Sequence, residues 1–469
     1  MPVQLQKVTS FPPFPALSLS PFFPSNSATL YLFFLFHLLA KTLLIFGIML
    51  IKTFTLLCLI ASMSCTISRK ILYTLPASQN NVLDSLLTNE PSLKTFAANK
   101  DSFNLQIIYT RIDRTINNRP RFTDYTFNMY PDKYFYPAST VKMPFAFLAL
   151  EKLNELKKPG VNKFTTMITD SSYEKEQIIY SNPLAEDSHP SIADYIKQVF
   201  LVSDNEAANR LYEFLGQNYL NTRLHKKGYT DVDIRNRLNI ALTESQNRHT
   251  NPVSFVDTSG NILYEQPAQV NTATFKIRND KFGKGFYKSG ALINEPFDFS
   301  AKNKISLVSL HNILRSVIFP ESVAAKHRFN LSKDDYRFLY QYMSSWPRES
   351  KYPAYDTANY WDAYGKFLLY GAQKGTMRNN IRIFNKEGDA YGFLNDIAYV
   401  ADFENKIEFM LSCTILCNTD GIFNDDKYDY ETIGFPFMKK LGQLIYNYEK
   451  QRPRKHLPDL SRFVIDYSR

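Results

Sequence analysis

The chain has 469 residues, of which 44% are hydrophobic and 15% aromatic, and only 16 are glycine. This composition excludes a disordered or collagen-like chain and is sufficient for one large domain or two small ones. The formal net charge is +10, but residues 84–469 mix both signs without a basic patch of the kind that binds nucleic acid. We therefore expect no nucleic-acid partner.

The N-terminal region has the pattern of an export signal. Residues 1–48 read as an upstream extension, and a second start at Met49 is followed by a basic residue, an apolar run and Cys65. A cysteine in this position resembles the acylated cysteine of a bacterial lipoprotein signal. We therefore expect a signal at 49–65, a lipid on Cys65, and export to the periplasmic side of a bacterial membrane. An uncleaved membrane anchor over Leu30–Ile51 is the alternative.

Hydrophobic periods divide the rest of the chain into strands and helices. Residues 66–95 are polar and read as a tether with room for one helix. Two period-two segments follow, then helical patterns, then three more strands and a closing helix. The predicted strands are Asn104–Arg111, Arg121–Phe127, Ile381–Lys386, Phe393–Ala401 and Lys406–Leu416, and the clearest helices are Ile192–Phe200, Glu206–Leu215 and Ile305–Ile318.

This order predicts an α/β (α+β) fold with flanking helices. One antiparallel sheet would be completed by the N- and C-terminal segments, and an all-α lobe would be inserted between them. The domain would span residues 96–450, with an α/β lobe made of 96–138 and 380–450 and a helical lobe at 139–379. Residues 451–469 would form a basic C-terminal tail.

The first candidate for chemistry is a serine three residues ahead of a lysine. Ser139 and Lys142 precede an apolar run that reads as a buried helix. Side chains at i and i+3 of a helix share a face, so the Lys142 amine would lie beside the Ser139 hydroxyl. A desolvated lysine has a lowered pKa and can accept the serine proton. The same spacing recurs at Ser172 and Lys175, in a charged stretch that reads as solvated.

A serine and an amide lie between two of the predicted helices. Ser203 and Asn205, in the sequence Ser203-Asp204-Asn205, could supply a proton relay and a hydrogen bond to a substrate amide. The structural alternative is that Ser203 or Asp204 only caps the following helix.

A lysine and a glycine end the first of the returning strands. Lys386 could bind a carboxylate, Gly388 would let a substrate backbone approach, and the Asp389 N–H could form an oxyanion hole with that of Ser139. A similar sequence, Lys288-Ser289-Gly290, occurs earlier in the chain, but no run of three strands and a terminal helix follows it. We therefore favour Lys386, with an ordinary turn lysine as the structural alternative.

The three motifs occur along the chain on a helix, in a loop and on a strand, in that order. Ser139-x-x-Lys142, Ser203-Asp204-Asn205 and Lys386-x-Gly388 together resemble the motifs of the class A β-lactamases and penicillin-binding proteins. The sequences Pro137–Pro144 and Asn395–Val400 are also similar to that family, and the resemblance covers roughly residues 96–450.

The resemblance implies a serine hydrolase of the same fold. Ser139 would be the acylated nucleophile, Lys142 its base partner and Ser203 a proton relay. Asn205 would hold the substrate amide, and Lys386 would meet the substrate carboxylate. No cofactor and no metal are implied.

One departure from the family concerns release of the acyl group. The family carries a loop glutamate that activates the deacylating water, and Arg235 stands at the corresponding position here. Loss of a general base typically costs about 10²–10⁴-fold in rate. Asp231, Asp233 or Glu244 could substitute if one of them reaches the site.

A second departure is Glu387, which stands where the family usually has threonine or serine. It adds a negative charge beside the proposed carboxylate subsite, unless its side chain points away from Lys386, as strand alternation allows. Residues 255–375 also exceed what the family core needs, and we interpret them as an elaborated helical lobe that reshapes the cleft.

The prediction is therefore an exported serine hydrolase that acylates Ser139 with an amide, a β-lactam or a related acyl substrate. A cell-wall peptidase or esterase is one alternative. A non-catalytic binding protein that retains the fold is the other.

Overall fold

A computed structural model describes residues 81–130 and 132–467, together with Leu39. The strands, β1 to β15, are Gln106–Arg114, Pro120–Phe127, Thr166–Thr169, His249–Thr250, Val253–Val256, Ile262–Gln266, Gln269–Val270, Lys281–Phe282, Gly285–Lys288, Ala291–Ile293, Phe297–Asp298, Ile381–Ala390, Phe393–Asp402, Ile407–Leu416 and Ile422–Phe423. The helices, α1 to α10, are Val82–Asn89, Pro91–Ala98, Lys142–Leu156, Ile192–Val202, Asn205–Leu215, Gln217–Lys226, Glu244–Arg248, Leu307–Ile318, Lys333–Ser344 and Phe435–Gln451.

A five-stranded antiparallel sheet joins the two ends of the domain. Its strand order is β12-β13-β14-β1-β2, so the N-terminal strands β1 and β2 continue the sheet beyond the C-terminal strand β14. Ile108 faces Ser412 across the junction, and Gly388 faces Asn395 at the other side of the sheet. The predicted fold class, with one sheet completed from both chain ends, is confirmed. Strand β12, which carries Lys386, lies at an open edge.

The sheet is apolar on both faces, which explains why helices cover both of them. Along β13, Ile397 and Tyr399 pack into one hydrophobic cluster together with residues of α8, whereas Ala398 and Val400 pack into a second one with residues of α10. Alternate residues of a strand point to opposite faces. A continuous apolar strand is therefore buried on both sides, and every residue of β13 is buried.

The inserted segment is helical near the sheet but is not all-α as predicted. Helices α3 to α6 pack together, and α3 is buried over most of its length. Between α7 and α8, however, the chain forms short antiparallel pairs, including β5 with β6 and β9 with β10. These strands have only two to five residues, too few for their periodicity to stand out in the sequence.

The folded domain begins earlier than predicted. Helices α1 and α2 occupy nearly all of the described part of the predicted tether, and Leu83, Leu87 and Leu93 are buried in the second hydrophobic cluster of the sheet. The boundary at residue 96 is therefore wrong. The polar residues that suggested a tether lie on the exposed sides of two amphipathic helices.

The predicted tail at 451–469 is wrong as well, because its described residues pack on the domain. Phe463 is fully buried against the rings of Tyr399 and Phe384. Arg452 donates to Asp113 of β1 at 2.6 Å. Arg452, Arg454 and Arg462 of this segment thus make ion pairs with the domain.

Several predictions fall outside the described residues. They concern the extension 1–48 apart from Leu39, the signal 49–65 with Cys65, and the first part of the tether, 66–80. Within the residues that the structure describes, no helix is both long enough and apolar enough to cross a bilayer.

Replacing Phe463 with alanine tests the docking of the C-terminal segment. Phe463→Ala should lower the free energy of unfolding by about 3–5 kcal/mol, because it leaves a cavity among aromatic rings. Urea unfolding measures the change, and Leu457→Ala is the control, since Leu457 is 65% exposed and should alter stability by less than about 0.5 kcal/mol. Equal, small effects of both substitutions would contradict the docked segment.

Candidate active site

A short helical turn presents the serine and the lysine of the first motif on one face. Residues Ala138–Val141 form a 3₁₀ turn, and α3 begins at Lys142. Side chains at i and i+3 eclipse each other in a 3₁₀ helix, so the side chains of Ser139 and Lys142 project together. Ala138 has a φ of 47°, in the left-handed region that a residue with a Cβ rarely adopts. Such backbone strain is concentrated at functional sites.

Ser139 and Lys142 differ in their exposure. Ser139 is half-buried, and its hydroxyl makes no hydrogen bond within the described part of the chain. Lys142 is fully buried, and its amine donates to the Ser203 carbonyl, to Ser203 Oγ at 3.2 Å and to Asn205 Oδ1 at 2.8 Å. Burial lowers the pKa of Lys142 well below the ordinary lysine value, and the neighbouring Lys386 lowers it further. In its neutral form the amine has two N–H groups, so it donates to only two of these three acceptors, and its lone pair can accept a proton, as a general base requires.

The second motif lies at the junction of α4 and α5. Asp204 is the N-cap of α5, since its Oδ1 accepts from the Ala207 N–H at 2.8 Å. Ser203, which has a φ of 59°, therefore does not cap α5. The capping alternative applies to Asp204. Asn205 is the first residue of α5, and its amide oxygen accepts from Lys142. Its amide nitrogen makes no hydrogen bond within the described residues, so it is available to donate to a substrate.

The third motif comes from the edge strand β12. Lys386 is fully buried, and its amine donates to Ser203 Oγ at 2.8 Å. The Ser203 hydroxyl therefore accepts hydrogen bonds from two lysines. The amine of Lys386 also donates to Glu387, to the carbonyl at 3.0 Å and to Oε1 at 2.7 Å. The Glu387 carboxylate thus folds back onto Lys386, although strand alternation allowed it to point away.

Gly388 lets the edge strand lie directly on the nucleophile turn. A Cβ at this position would be 2.6 Å from the backbone nitrogen of Ser139 and 2.8 Å from that of Thr140, closer than real Cβ atoms approach. Asp389 follows at the exposed end of the strand. On the same side, the Asn395 amide donates to the Tyr136 carbonyl at 3.1 Å and ties β13 to the segment that precedes the turn.

The competing sequence Lys288-Ser289-Gly290 does not contribute to the cleft. Lys288 ends β9, and Ser289 and Gly290 form the turn to β10 with φ values of 50° and 81°. All three residues are exposed. The geometry therefore favours Lys386 as the lysine of the cleft, and Lys288 is part of a surface hairpin.

The loop around Arg235 has no carboxylate available for deacylation. Arg235 pairs with Asp233 at 2.7 Å. Asp231 accepts from the Ser306 N–H at 2.8 Å, which orders the start of α8. Glu244 pairs with Arg248 at 2.7 Å. Each of the three proposed substitutes for the missing glutamate therefore has a structural partner of its own.

Two features of the site were missed by the sequence analysis. A buried network of Lys366, Asn385 and Asp396 lies behind Lys386, with Lys366 Nζ 2.6 Å from Asn385 Oδ1 and Asn385 Nδ2 2.7 Å from Asp396 Oδ1. Burial lowers the pKa of Lys366 and raises that of Asp396.

The second feature is a cavity of about 430 Å³, lined by Trp361 and Tyr364 together with Ser203 and Glu387. The aromatic richness of residues 355–370 was the only signal for it.

A comparison with known protein families finds one match. The model of a β-lactamase enzyme family matches residues 106–273. The matched part contains Ser139, Lys142, Ser203 and Asn205, and it ends before Lys386. The match confirms the resemblance over residues 106–273. No curated protein sequence matches the chain.

Solved structures of related folds are also similar to this chain. The β-lactamase from Sphaerobacter thermophilus is 11% identical, with 79% of this chain and 98% of that chain covered and a TM-score of 0.40. A β-lactamase from Xanthomonas campestris is 13% identical, with 78% and 100% covered and a TM-score of 0.43. An acyl-enzyme complex of a PBP-A variant with penicillin G is 14% identical, with 78% and 94% covered and a TM-score of 0.39.

Replacing Gly388 with alanine tests the contact between the edge strand and the nucleophile turn. The added methyl would meet backbone atoms that cannot turn aside, so β12 or the turn must shift. Misplacement of this order costs roughly 10²-fold in the rate of an oriented reaction. Acylation of Ser139 by a penicillin, followed by intact mass, measures the loss.

The control is Gly260→Ala in an exposed turn, where nothing lies within 4 Å of the added Cβ. Gly260 has a φ of 83°, so this substitution strains the backbone without touching the cleft. We expect it to leave acylation unchanged. Equal acylation by the wild type and Gly388→Ala would show that the close contact is not needed.

Proposed function

We propose that this chain is a serine hydrolase that forms an acyl-enzyme on Ser139 with an amide, a β-lactam or a related acyl substrate, without a cofactor. The observation that carries the proposal is the Ser203 hydroxyl. It accepts from Lys142 at 3.2 Å and from Lys386 at 2.8 Å, next to the turn that bears Ser139. A hydroxyl between two amines, one of them with a lowered pKa, is suited to relay a proton.

In the acylation step, the neutral Lys142 amine takes the proton of Ser139 as its oxygen attacks the acyl carbonyl. Peptide N–H groups at the start of a helical turn have no acceptor within the helix. The backbone N–H of Ser139 can therefore stabilise the oxyanion, together with the backbone N–H of Asp389. Collapse of the intermediate breaks the bond to the leaving group. The Lys142 ammonium returns its proton through Ser203 to the departing nitrogen or oxygen.

In the deacylation step, water must attack the ester of Ser139. A general base for this water is worth about 10²–10⁴-fold, and Asp231, Asp233 and Glu244 all have structural partners. We therefore infer that the acyl-enzyme formed with a penicillin is long-lived. A penicillin-binding peptidase or esterase, acting on cell-wall peptides or other acyl compounds, fits this better than an efficient β-lactamase.

Intact mass of the purified full chain after incubation with a penicillin tests this function. We expect a persistent adduct of one penicillin, because Lys142 can activate Ser139 whereas the three candidate loop carboxylates are held by structural partners. Ser139→Ala should abolish the adduct. Ser172→Ala is the matched control, because Ser172 also precedes a lysine by three residues but is exposed and interacts with Glu176.

Other outcomes have definite meanings. A transient adduct with released product would mean that another group activates the water, and the chain would be a β-lactamase. No adduct with penicillins or with simple acyl esters would contradict the hydrolase and favour a non-catalytic binding protein.

We also propose that the protein is exported and held on the periplasmic side of a bacterial membrane by a lipid on Cys65. The support is the pattern of residues 49–65. Cells grown with labelled palmitate should label the wild type, whereas Cys65→Ser should remain unlabelled and Cys58→Ser should be labelled normally. Labelling of Cys65→Ser, or a native N-terminus upstream of Cys65, would contradict this anchor.

A further inference from the structure

Two carboxylates face each other across the strands beside the third motif. Glu387 of β12 is directly opposite Asp396 of β13 in the register of the sheet, so their side chains start on the same face. Both residues are buried, with exposed fractions of 4% and 0%. Like charges directly opposite each other destabilise a sheet, and the low dielectric of a buried site increases their repulsion. This arrangement therefore requires a nearby cation.

Lys366 supplies a buried cation on this face. Asn385 and Glu387 are two residues apart on β12 and thus share a face of the strand. Lys366 Nζ lies 2.6 Å from Asn385 Oδ1 and 2.8 Å from the Met343 carbonyl oxygen. Burial lowers the pKa of Lys366, but the charges of Glu387 and Asp396 oppose this effect, and the pKa remains at about 8. Lys366 is therefore an ammonium ion at neutral pH.

The backbone around Lys366 is fixed against the same two carboxylates. Asp396 Oδ2 accepts from the backbone N–H of Leu368 at 2.9 Å. A Cβ added to Gly365 would lie 3.0 Å from the carboxyl carbon of Glu387, so the loop at Gly365 closes over this carboxylate. Lys366 lies between these two contacts and cannot move away from the carboxylates unless they break.

The charge of Lys366 affects Lys386, the lysine of the cleft. Glu387 Oε1 is 2.7 Å from Lys386 Nζ, and an isolated pair of this kind would be neutral and would attract a second carboxylate only weakly. Glu387, however, is flanked by two lysines and cannot neutralise both of them. The fourth charge, that of Asp396, is stabilised by three N–H donors. Lys386 therefore retains part of its charge for a ligand.

We propose that Lys366 is a specificity-determining residue of this site, because it offsets the charge of Glu387 and so leaves Lys386 able to attract the carboxylate of an acyl substrate. This inference rests on the proposed function, because it concerns how the same cleft recognises its substrate. Glu387 stands where the β-lactamases usually have threonine or serine, and Lys366 comes from the inserted segment. Lys366 acts through Glu387 and does not itself touch the substrate.

Binding to Ser139→Ala tests the proposal, because acylation is impossible in this variant. The probes are benzylpenicillin and its methyl ester, which differ in the charge of one carboxyl group. NMR titration should show that benzylpenicillin binds roughly tenfold more tightly, as expected for one additional contact between opposite charges. In Ser139→Ala/Lys366→Met this preference should be lost, because Glu387 then neutralises Lys386.

Removing the charge of Glu387 should restore the preference. In Ser139→Ala/Lys366→Met/Glu387→Gln, Lys386 no longer has a carboxylate partner and should again favour benzylpenicillin by roughly tenfold. If Lys366 only supported the fold, a change in the charge of its neighbour would not restore the preference. This triple variant therefore separates the electrostatic role of Lys366 from a structural one.

The matched control is Ser139→Ala/Lys163→Met, which removes another buried lysine, one that pairs with Asp335 at 3.0 Å. It should leave the preference unchanged. If Ser139→Ala/Lys366→Met does not fold, Glu387→Gln is compared with and without Lys366→Met in the same background. Both of these variants should favour benzylpenicillin equally.

Four results would overturn the proposal. They are equal or tighter binding of the ester to Ser139→Ala, no binding of either probe, an unchanged preference in a folded Lys366→Met variant, and failure of Glu387→Gln to restore a preference that Lys366→Met had removed. The hydrolase proposal fails separately. A wild-type chain that forms no penicillin adduct, while Ser139→Ala still prefers the free acid, would refute acylation and leave the role of Lys366 intact.

Discussion

The hydroxyl of Ser203 joins the three parts of the chain that make the site. It accepts from Lys142 at the start of α3 and from Lys386 on β12, while its own backbone forms the corner between α4 and α5. The corner requires a left-handed conformation at Ser203, and the approach of β12 requires a glycine at 388. Two buried lysines that share one acceptor favour the neutral form of at least one of them, because burial disfavours both charges. The chemistry of the site follows from this shared contact.

The surrounding charges show how the fold accommodates several buried lysines near one another. Lys386 is paired with Glu387, and the charges of Glu387 and Asp396 together offset that of the buried Lys366. Lys142 has polar acceptors but no carboxylate in direct contact within the described residues, and burial lowers its pKa well below the ordinary lysine value.

Local patterns in the sequence predicted the parts of the structure that depend on spacing. The helical period predicted that Ser139 and Lys142 share one face of a helical turn, but the Lys142 amine contacts Ser203 and Asn205. The five long strands follow from alternation and apolar runs. The orientation of Glu387 could not be predicted, because it depends on the loop at Gly365, which is distant in sequence. The same holds for residues 82–98 and 451–467, whose polar composition hides a few apolar side chains that dock on the sheet. The aromatic cavity at Trp361 also arises only from long-range packing.

The central claim is that the Lys142 amine is neutral near ambient pH, and an NMR titration tests it most directly. In protein labelled with ¹³C and ¹⁵N at lysine, the Lys142 signal can be assigned by its loss in Lys142→Arg. A group is deprotonated above its pKa, so the account predicts that this signal titrates well below 10.5, the value of an ordinary lysine. Titration at or above 10.5 would mean that Lys142 remains an ammonium ion in the folded protein. It could then not accept the Ser139 proton, and the account of the site would be wrong.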